Sequence, residues 1–364
     1  GLQHLVLGNK PLAANASLLA ARWRADLNLH KAYADLSAAV AQTLNIASAI
    51  HGLPAEALIE SMTFAAIEQQ IVRDLKERVA SQGGVVLEGI RPLIARRRDG
   101  HWANRLLAGA SGQTQALAAC YDALEAGAEF MALKERYAAG LTFTDADDAA
   151  RQYRAELYAF DQLYRRFHFA ATEVEPMGWA VLHGLRDVVE AAYSGWFVPQ
   201  LASAWSKVVE GPQGLLKRWR IDGMSPQQDF FSDKVAPALN AGSVKRVFVV
   251  ISDAFRYEAA EQLARDINGK NRFTARLDAM LGVLPSYTAL GMAALLPHQT
   301  LAYRAQANTD VFVDGQPSST TEARSAQLGK YDGLAIKADD LLPLGKDKGR
   351  ELVRDKRVVY VYHD

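Results

Sequence analysis

Two residues with chemically useful side chains stand at the ends of predicted structural elements. Asp253 follows the apolar run Val247–Ile251, which predicts a buried parallel β-strand. Thr288 follows the turn-forming Pro285 and opens an apolar helical run. Ligands bind beyond the carboxyl ends of strands in open α/β sheets, so Asp253 is well placed to hold a metal ion. Because free backbone N–H groups at a helix amino terminus suit a phosphate, the pair predicts metal-assisted phosphoryl transfer with Thr288 as the nucleophile.

Each of these two residues also has a structural interpretation. An aspartate after a strand often caps the helix that follows, since its carboxylate accepts free backbone N–H groups. Thr288 is equally suited, on local sequence alone, to cap the helix over residues 289–296. The local sequence therefore leaves the functional and the structural interpretation of both residues open.

The elements that must position the pair follow residue 244, where the sequence alternates between strand and helix patterns. Val247–Ile251 suits a central parallel strand, and a helix is predicted over residues 254–267. Further predicted elements are a strand over residues 272–277, a hairpin and loop insertion over 308–330, and a strand over 356–362. This alternation predicts an α/β sheet.

Residues 12–225 instead carry Ala, Leu, Glu and Arg at helical spacing, which predicts a helical bundle or an irregular helical array. The clearest helix covers residues 55–79, opened by Pro54 and followed by Gly83 and Gly84. The predicted domains are a mainly helical one over residues 1–228 and the amino-terminal part of an α/β domain over residues 229–364.

Three stretches of the second domain carry a family resemblance: ISDAFRYE at 251–258, LPSYT at 284–288 and VVYVYH at 358–363. They resemble the PglZ family of BREX phage-defence systems, a branch of the alkaline phosphatase superfamily. The resemblance covers about residues 230–364, and the preceding helices are similar to the helical part that precedes the phosphatase core in that family. It implies a partial alkaline-phosphatase-like α/β core behind a mainly α-helical domain.

By this resemblance, Asp253 is a ligand of a first metal ion, and Thr288 is the covalent nucleophile that also contacts metal. His363, at the end of the last predicted strand, is a candidate further ligand, and a structural role for this single histidine is the alternative. The implied cofactor is a divalent metal ion: zinc, with manganese and magnesium as alternatives. The superfamily takes more Asp and His ligands from later strands, including an Asp-His-Gly turn that this sequence lacks. Asp364 stands where the family usually has asparagine, and the sequence ends there within an element, so we expect a piece of a longer protein.

The resemblance implies a metal-dependent phosphoester hydrolase, a phosphatase, phosphodiesterase or nuclease, in a bacterial BREX anti-phage system. Its expected partners are other BREX defence proteins, with DNA or a nucleotide as candidate substrates. The alternative is a non-catalytic scaffold subunit that assembles the defence complex through protein–protein contacts, which the large helical region favours. Residues 1–364 alone are expected to be inactive.

Composition adds few constraints. The 364 residues are 49% hydrophobic and 23% charged, which is typical of soluble globular protein. The formal net charge of zero gives no global electrostatic case for binding nucleic acid or a membrane. The single cysteine, Cys120, excludes an intrachain disulfide framework and fits a reducing cytoplasm, and no apolar segment is long enough to predict a membrane span.

One cluster combines basic and aromatic residues. Arg96, Arg97 and Arg98 precede His101 and Trp102. Such a cluster could contact nucleic-acid phosphates and stack a base. The alternative is the solvated end of a helix, and the sequence leaves both interpretations open.

Overall fold

The computed structural model describes residues 10–26, 29–106, 111–177, 180–212, 214–242, 244–270, 272–304 and 310–363. By its contacts the chain divides into two compact units, Gly1–Phe143 with Gln152–Ser206, and Thr144–Arg151 with Lys207–Asp364. The predicted domain boundary between residues 228 and 229 stays a prediction. Within the described residues, no helix is both long enough and apolar enough to cross a membrane.

The first unit is helical, and one long helix runs through its core. The α-helices before residue 211 are α1 (Lys10–Ala25), α2 (His30–Thr43), α3 (Ile46–Ile50), α4 (Ala55–Leu58), α5 (Ala65–Gln82), α6 (Leu87–Arg98), α7 (Gly112–Arg136), α8 (Ala146–Gln152), α9 (Tyr158–Val174), α10 (His183–Ala192) and α11 (Val198–Glu210). The alanine-rich α7 contributes buried residues to two hydrophobic clusters. Small side chains let neighbouring helices approach it closely: a Cβ atom on Gly84 would lie 2.1 Å from the Cα of Ala132.

The helix predicted over residues 55–79 is wrong in one respect, because residues 59–64 separate α4 from α5. Side chains, rather than helix amides, donate hydrogen bonds to the carbonyl groups of this break. The Arg97 side chain donates to the carbonyls of Ile59 and Ser61, the Trp102 side chain to that of Met62, and the Ser37 side chain to that of Thr63. The predicted ends hold: Pro54 precedes α4, and α5 stops before Gly83, whose φ of +70° suits glycine.

The second unit contains a parallel sheet, a small antiparallel sheet and helices around them. Its strands are β1 (Ser225–Pro226), β2 (Val247–Ser252), β3 (Met280–Leu281), β4 (Leu301–Arg304), β5 (Asp310–Val313), β6 (Gln316–Pro317), β7 (Gly333–Lys337) and β8 (Val358–His363). Its helices are α8, whose residues 146–151 belong to this unit, and α12 (Ala236–Asn240), α13 (Tyr257–Gly269), α14 (Thr288–Ala294), α15 (Thr321–Leu328), α16 (Ala338–Leu341) and α17 (Gly345–Leu352). The main sheet is parallel with the order β2-β8-β7, which confirms the predicted α/β class behind a mainly helical region.

Two predictions about the strands are wrong. In the described residues β8, not β2, is the central strand. Two side chains of β2 are exposed to solvent, Phe248 with 52% and Val250 with 66% of its surface accessible. Residues 272–277 form no strand. The Asn268 side chain accepts from the amide of Ala275 at 2.8 Å and donates to its carbonyl at 3.0 Å, in place of a neighbouring strand.

The predicted hairpin is present, but the loop predicted after it is wrong in part, because residues 321–328 form α15. Strands β5 and β6 are antiparallel and joined by Asp314 and Gly315, which have φ values of +49° and +77°. Both residues suit the left-handed positions of a tight hairpin turn. Residues 308 and 309, at the start of the predicted insertion, lie outside the described residues.

Candidate active site

Asp253 and Thr288 line one cavity of 590 Å³ in the second unit. The other lining residues are Ala289, Met292, Ser319, Thr320, Thr321, Glu322, Arg324, Lys337 and Tyr362. Three parallel strands lead to this cavity, because Asp253 directly follows β2, Lys337 ends β7, and Tyr362 is next to last in β8. The cavity therefore lies at the carboxyl edge of the sheet, where ligands bind in open α/β folds.

Asp253 is held at this edge by its backbone. Its amide donates to the carbonyl of His363 at 3.1 Å, and its Oδ1 accepts from the amide of Ala254 at 2.9 Å. Ala254 has a φ of +55°, a strained conformation for a residue with a side chain. Helix α13 begins only at Tyr257, with Arg256 at the capping position. Asp253 is therefore not the cap of that helix.

Thr288 is the first residue of α14 and does not cap it. Tyr287 occupies the capping position with extended backbone, and no side chain there makes a capping hydrogen bond. Thr288 is exposed, and no described residue forms a hydrogen bond with its hydroxyl. The Thr288 hydroxyl is therefore available to a ligand at the cavity.

Two residues that the sequence analysis did not single out fix α14 against its surroundings. The buried Tyr360 of β8 donates from its hydroxyl to the carbonyl of Leu295, just after the helix, at 2.6 Å. The Gln227 amide donates to the carbonyl of Gly291 at 3.1 Å and accepts from the amide of Val283 at 3.2 Å. Tyr360 lies in the family-like stretch VVYVYH and Gln227 in a turn sequence, but no local pattern marks either residue as a partner of α14.

His363 lies beside Asp253 but is not among the residues lining the cavity. Successive strand residues point to opposite faces of a sheet, and the preceding Tyr362 faces the cavity. The Nδ1 of His363 lies 3.2 Å from the Ser252 hydroxyl on the neighbouring strand. Its role as a metal ligand stays a prediction, and Asp364 lies outside the described residues.

The cavity is lined by two acidic and two basic side chains, Asp253, Glu322, Arg324 and Lys337. A hydrogen bond from its own backbone amide, with further contributions from Thr320 and Lys337, lowers the pKa of Glu322, which keeps it negatively charged. The charges of the four side chains cancel, so a bound divalent cation would make the cavity electropositive and suited to a phosphate.

The side chains present fit part of a metal site. The Asp253 carboxylate and the Thr288 hydroxyl are oxygen donors on one cavity, a ligand type that divalent cations accept. Across the described ranges, no group of three or more His, Cys, Asp or Glu residues could hold a metal ion. Asp253 and Thr288 therefore fit as two members of a larger ligand set.

The basic cluster of the first unit is engaged in internal ion pairs. Arg96 pairs with Glu60, Arg98 with Asp122 and Glu125, and the fully buried Arg97 with the fully buried Glu68. Burial acts to lower the pKa of Arg97, but its hydrogen bond with the Glu68 carboxylate raises that pKa above its ordinary value. His101 and Trp102 are also buried. Arg97, His101 and Trp102 therefore belong to the core of the helical unit, while Arg96 and Arg98 are paired with carboxylates nearer its surface. Contact of this cluster with nucleic acid stays a prediction.

Part of the chain matches a known protein family. Residues 230–364 match the profile of the BREX system PglZ alkaline phosphatase-like domain. Asp253 and Thr288 both lie within the matched range. Residues 230–364 belong to the PglZ family. The resemblance predicted from the sequence is thus confirmed, and residues 230–364 are called the PglZ domain below.

The similarity extends over the helical unit as well. The alkaline phosphatase-like protein BrxZ of Escherichia coli O9:H4 (strain HS) is 37% identical over 353 residues, covering 96% of this chain and 40% of that protein. The alkaline phosphatase-like protein PglZ of Bacillus cereus (strain H3081.97) is 30% identical over 336 residues, covering 91% of this chain and 37% of that protein. The chain thus spans 40% or less of these curated relatives' length, and no solved structure matches it.

Two neighbouring tyrosines of β8 give a matched test of the packing around α14. Tyr360→Phe removes the donor to the Leu295 carbonyl, so we expect it to lower the free energy of unfolding by about 1 kcal/mol. The Tyr362 hydroxyl is buried and makes no hydrogen bond with a described residue, so Tyr362→Phe is expected to leave that free energy unchanged or slightly higher. Urea unfolding of both variants measures the difference, and equal losses would contradict this interpretation.

Proposed function

We propose that the PglZ domain is the catalytic part of a metal-dependent phosphoester hydrolase, with Thr288 as nucleophile and Asp253 as a metal ligand. The observation that carries the proposal is that both residues line one cavity at the carboxyl edge of the sheet. The capping interpretations of Asp253 and Thr288 find no support in the helix ends, since neither residue caps a helix. The Asp253 carboxylate is thus free of a capping role and able to bind a metal ion, and the Thr288 hydroxyl is likewise able to act as the nucleophile.

The reaction follows from the chemistry of the Thr288 hydroxyl. A divalent cation, when bound, supplies positive charge that favours loss of the hydroxyl proton and stabilises charge on the phosphate. The Thr288 Oγ1 attacks phosphorus, a new P–O bond forms, and the ester oxygen leaves with the electron pair of the broken bond and takes up a proton. Water then cleaves the bond between phosphorus and Thr288, which restores the hydroxyl and releases phosphate from a monoester substrate or a phosphomonoester from a diester such as DNA.

The proposed setting is a bacterial BREX anti-phage system, with other BREX proteins as partners and DNA or a nucleotide as candidate substrates. This setting is supported by the family of the PglZ domain and by the named relatives. Zinc is the cation proposed first, with manganese and magnesium as alternatives.

A scaffold subunit without catalysis is the second candidate function. It is favoured by the helical unit, which has two hydrophobic clusters of its own and takes up more than half of the chain. In that case the PglZ domain and the helices would mainly hold partner proteins of the defence complex.

The two functions are separated by testing the full-length protein for metal-dependent turnover. Protein treated with EDTA and then supplied with zinc, manganese or magnesium is assayed with bis(p-nitrophenyl) phosphate. The hydrolase proposal expects turnover that is lost with the metal and restored by at least one of the three. Tight metal binding without hydrolysis of this or any DNA or nucleotide substrate would favour the scaffold.

Residues 1–364 alone are expected to bind zinc weakly and to hydrolyse bis(p-nitrophenyl) phosphate little or not at all. Asp253 and Thr288 supply two oxygen donors, whereas a zinc site usually takes about four ligands. Titration calorimetry with zinc on this polypeptide and on the full-length protein measures the difference. Tight one-to-one binding and robust turnover by residues 1–364 would show that the site lies elsewhere.

A further inference from the structure

Lys337 is a cation at the candidate active site without a fixed partner. It ends β7, lines the cavity with Asp253 and Thr288, and is exposed. No described residue forms a hydrogen bond or an ion pair with its ammonium group, although its charge contributes to lowering the pKa of Glu322. The three donors of Lys337 are therefore available to an anion in the cavity.

Tyr362 faces the same cavity from the neighbouring strand. Its register partner on β7 is Lys337, so the strand pairing itself brings the two residues together. Tyr362 is only 3% exposed, and its hydroxyl donates a hydrogen bond to no described residue. The neighbouring Arg324 guanidinium interacts with this hydroxyl but is itself a donor, so it cannot accept the phenol proton. Buried hydroxyl groups are nearly always hydrogen-bonded, so an orphaned one beside a cavity indicates an acceptor that binds there.

Arg324 adds a fixed positive charge next to these two residues. Its Nε donates to the carbonyl of Ser318 at 2.9 Å, and its guanidinium carbon lies 4.4 Å from the centre of the Tyr362 ring. Arg324 is thus held in place by its own contacts, while Lys337 and Tyr362 keep unused donors.

We propose that Lys337 and Tyr362 form the subsite that holds the non-bridging oxygens of a phosphate group. The ammonium group supplies a charged donor and the phenol O–H a neutral one, and the non-bridging oxygens of a phosphate ester accept hydrogen bonds. Asp253 and Thr288 face the same cavity, so a phosphate held by this subsite would be presented to the proposed nucleophile. The subsite rests on the proposed function only for its catalytic use; the binding of phosphate itself can be measured without turnover.

The test measures phosphate binding in a protein that cannot turn over. The full-length protein carrying Thr288→Val and loaded with zinc is titrated with inorganic phosphate by calorimetry, and Lys337→Met, Lys337→Arg or Tyr362→Phe is then added. Lys348→Met is the matched control, because Lys348 is exposed on α17 and is not among the residues lining the cavity.

We expect Lys337→Met to raise the phosphate dissociation constant by about 10-fold or more, and Tyr362→Phe by about 3- to 10-fold. Lys337→Arg is expected to retain most of the affinity, and Lys348→Met all of it. Unchanged affinity in Lys337→Met, or an equal loss in Lys348→Met, would overturn the subsite.

The same measurements keep the subsite distinct from the proposed function. If the parent protein hydrolyses no phosphoester and yet binds phosphate in a manner that depends on Lys337, the hydrolase proposal fails and the subsite stands. If the parent hydrolyses bis(p-nitrophenyl) phosphate and Lys337→Met changes neither its Michaelis constant nor its phosphate inhibition constant, the hydrolase stands and the subsite fails.

Discussion

Replacing Thr288 with valine in the full-length protein is expected to reduce phosphoester hydrolysis by about 10³-fold or more. Valine is nearly isosteric with threonine but has no hydroxyl, so the phosphorylated intermediate cannot form. Folding should be unaffected, because the Thr288 hydroxyl is exposed and makes no hydrogen bond with a described residue. The measurement is turnover of bis(p-nitrophenyl) phosphate with saturating metal, alongside the thermal unfolding midpoint.

Asp253→Asn is the companion variant, because comparing it with Thr288→Val distinguishes the loss of a metal ligand from the loss of the nucleophile. Asparagine keeps the shape of aspartate but loses its charge, so metal affinity should fall further than in Thr288→Val, which removes only a neutral oxygen donor. Near-normal hydrolysis by Thr288→Val with loss in Asp253→Asn would mean that water, rather than Thr288, attacks phosphorus. If both variants protected cells from phage and bound partners normally, the scaffold function would be correct.

Arg97→Met is expected to destabilise the helical unit by about 3 to 5 kcal/mol. Arg97 and Glu68 are both fully buried, so removing the cation leaves an uncompensated carboxylate in the core. The same change removes the donors that satisfy the carbonyls of Ile59 and Ser61 in the break between α4 and α5. Urea unfolding followed by circular dichroism at 222 nm measures the loss of stability.

The adjacent Arg96 supplies the matched control. Its ion pair with Glu60 is exposed to solvent, so Arg96→Met should leave the unfolding midpoint unchanged. Replacing Glu68 with glutamine in the Arg97→Met background removes the stranded charge and should recover part of the lost stability. Equal effects of Arg96→Met and Arg97→Met, or no recovery in the double variant, would show that the buried pair is not what stabilises the core.

The sequence predicted the elements whose signals are local. The apolar run of β2 and the proline turn before α14 placed Asp253 and Thr288 correctly on a strand end and a helix start. The break over residues 59–64 was missed, because its hydrogen-bond donors, Arg97 and Trp102, lie far along the chain. The edge position of β2 was missed for a similar reason, since a buried parallel strand and an edge strand share the same apolar composition.

The candidate site was predictable only in part. Asp253, Thr288 and Tyr362 belong to short family-like stretches, whereas Lys337 lies outside them and meets Tyr362 through the pairing of β7 with β8. Strands β7 and β8 pair in parallel across a crossover of about 20 residues, so a lysine at the end of one strand and a tyrosine in the other carry no joint signal in the sequence. His363 shows the converse: it follows Tyr362 directly, yet strand alternation turns it to the other face.

The uncovered edge of β2 sets a practical condition on biochemistry with residues 1–364 alone. A strand paired on one side only in the described residues, with Phe248 and Val250 exposed, is the kind of surface on which copies of a chain associate. Light scattering and solubility of such a preparation measure whether copies associate through this edge, and they should be measured before any assay of catalysis. A charged residue in place of Val250 should reduce this association between copies. It should leave the cavity undisturbed, because Val250 lies on the face of the sheet opposite the cavity-facing Tyr362.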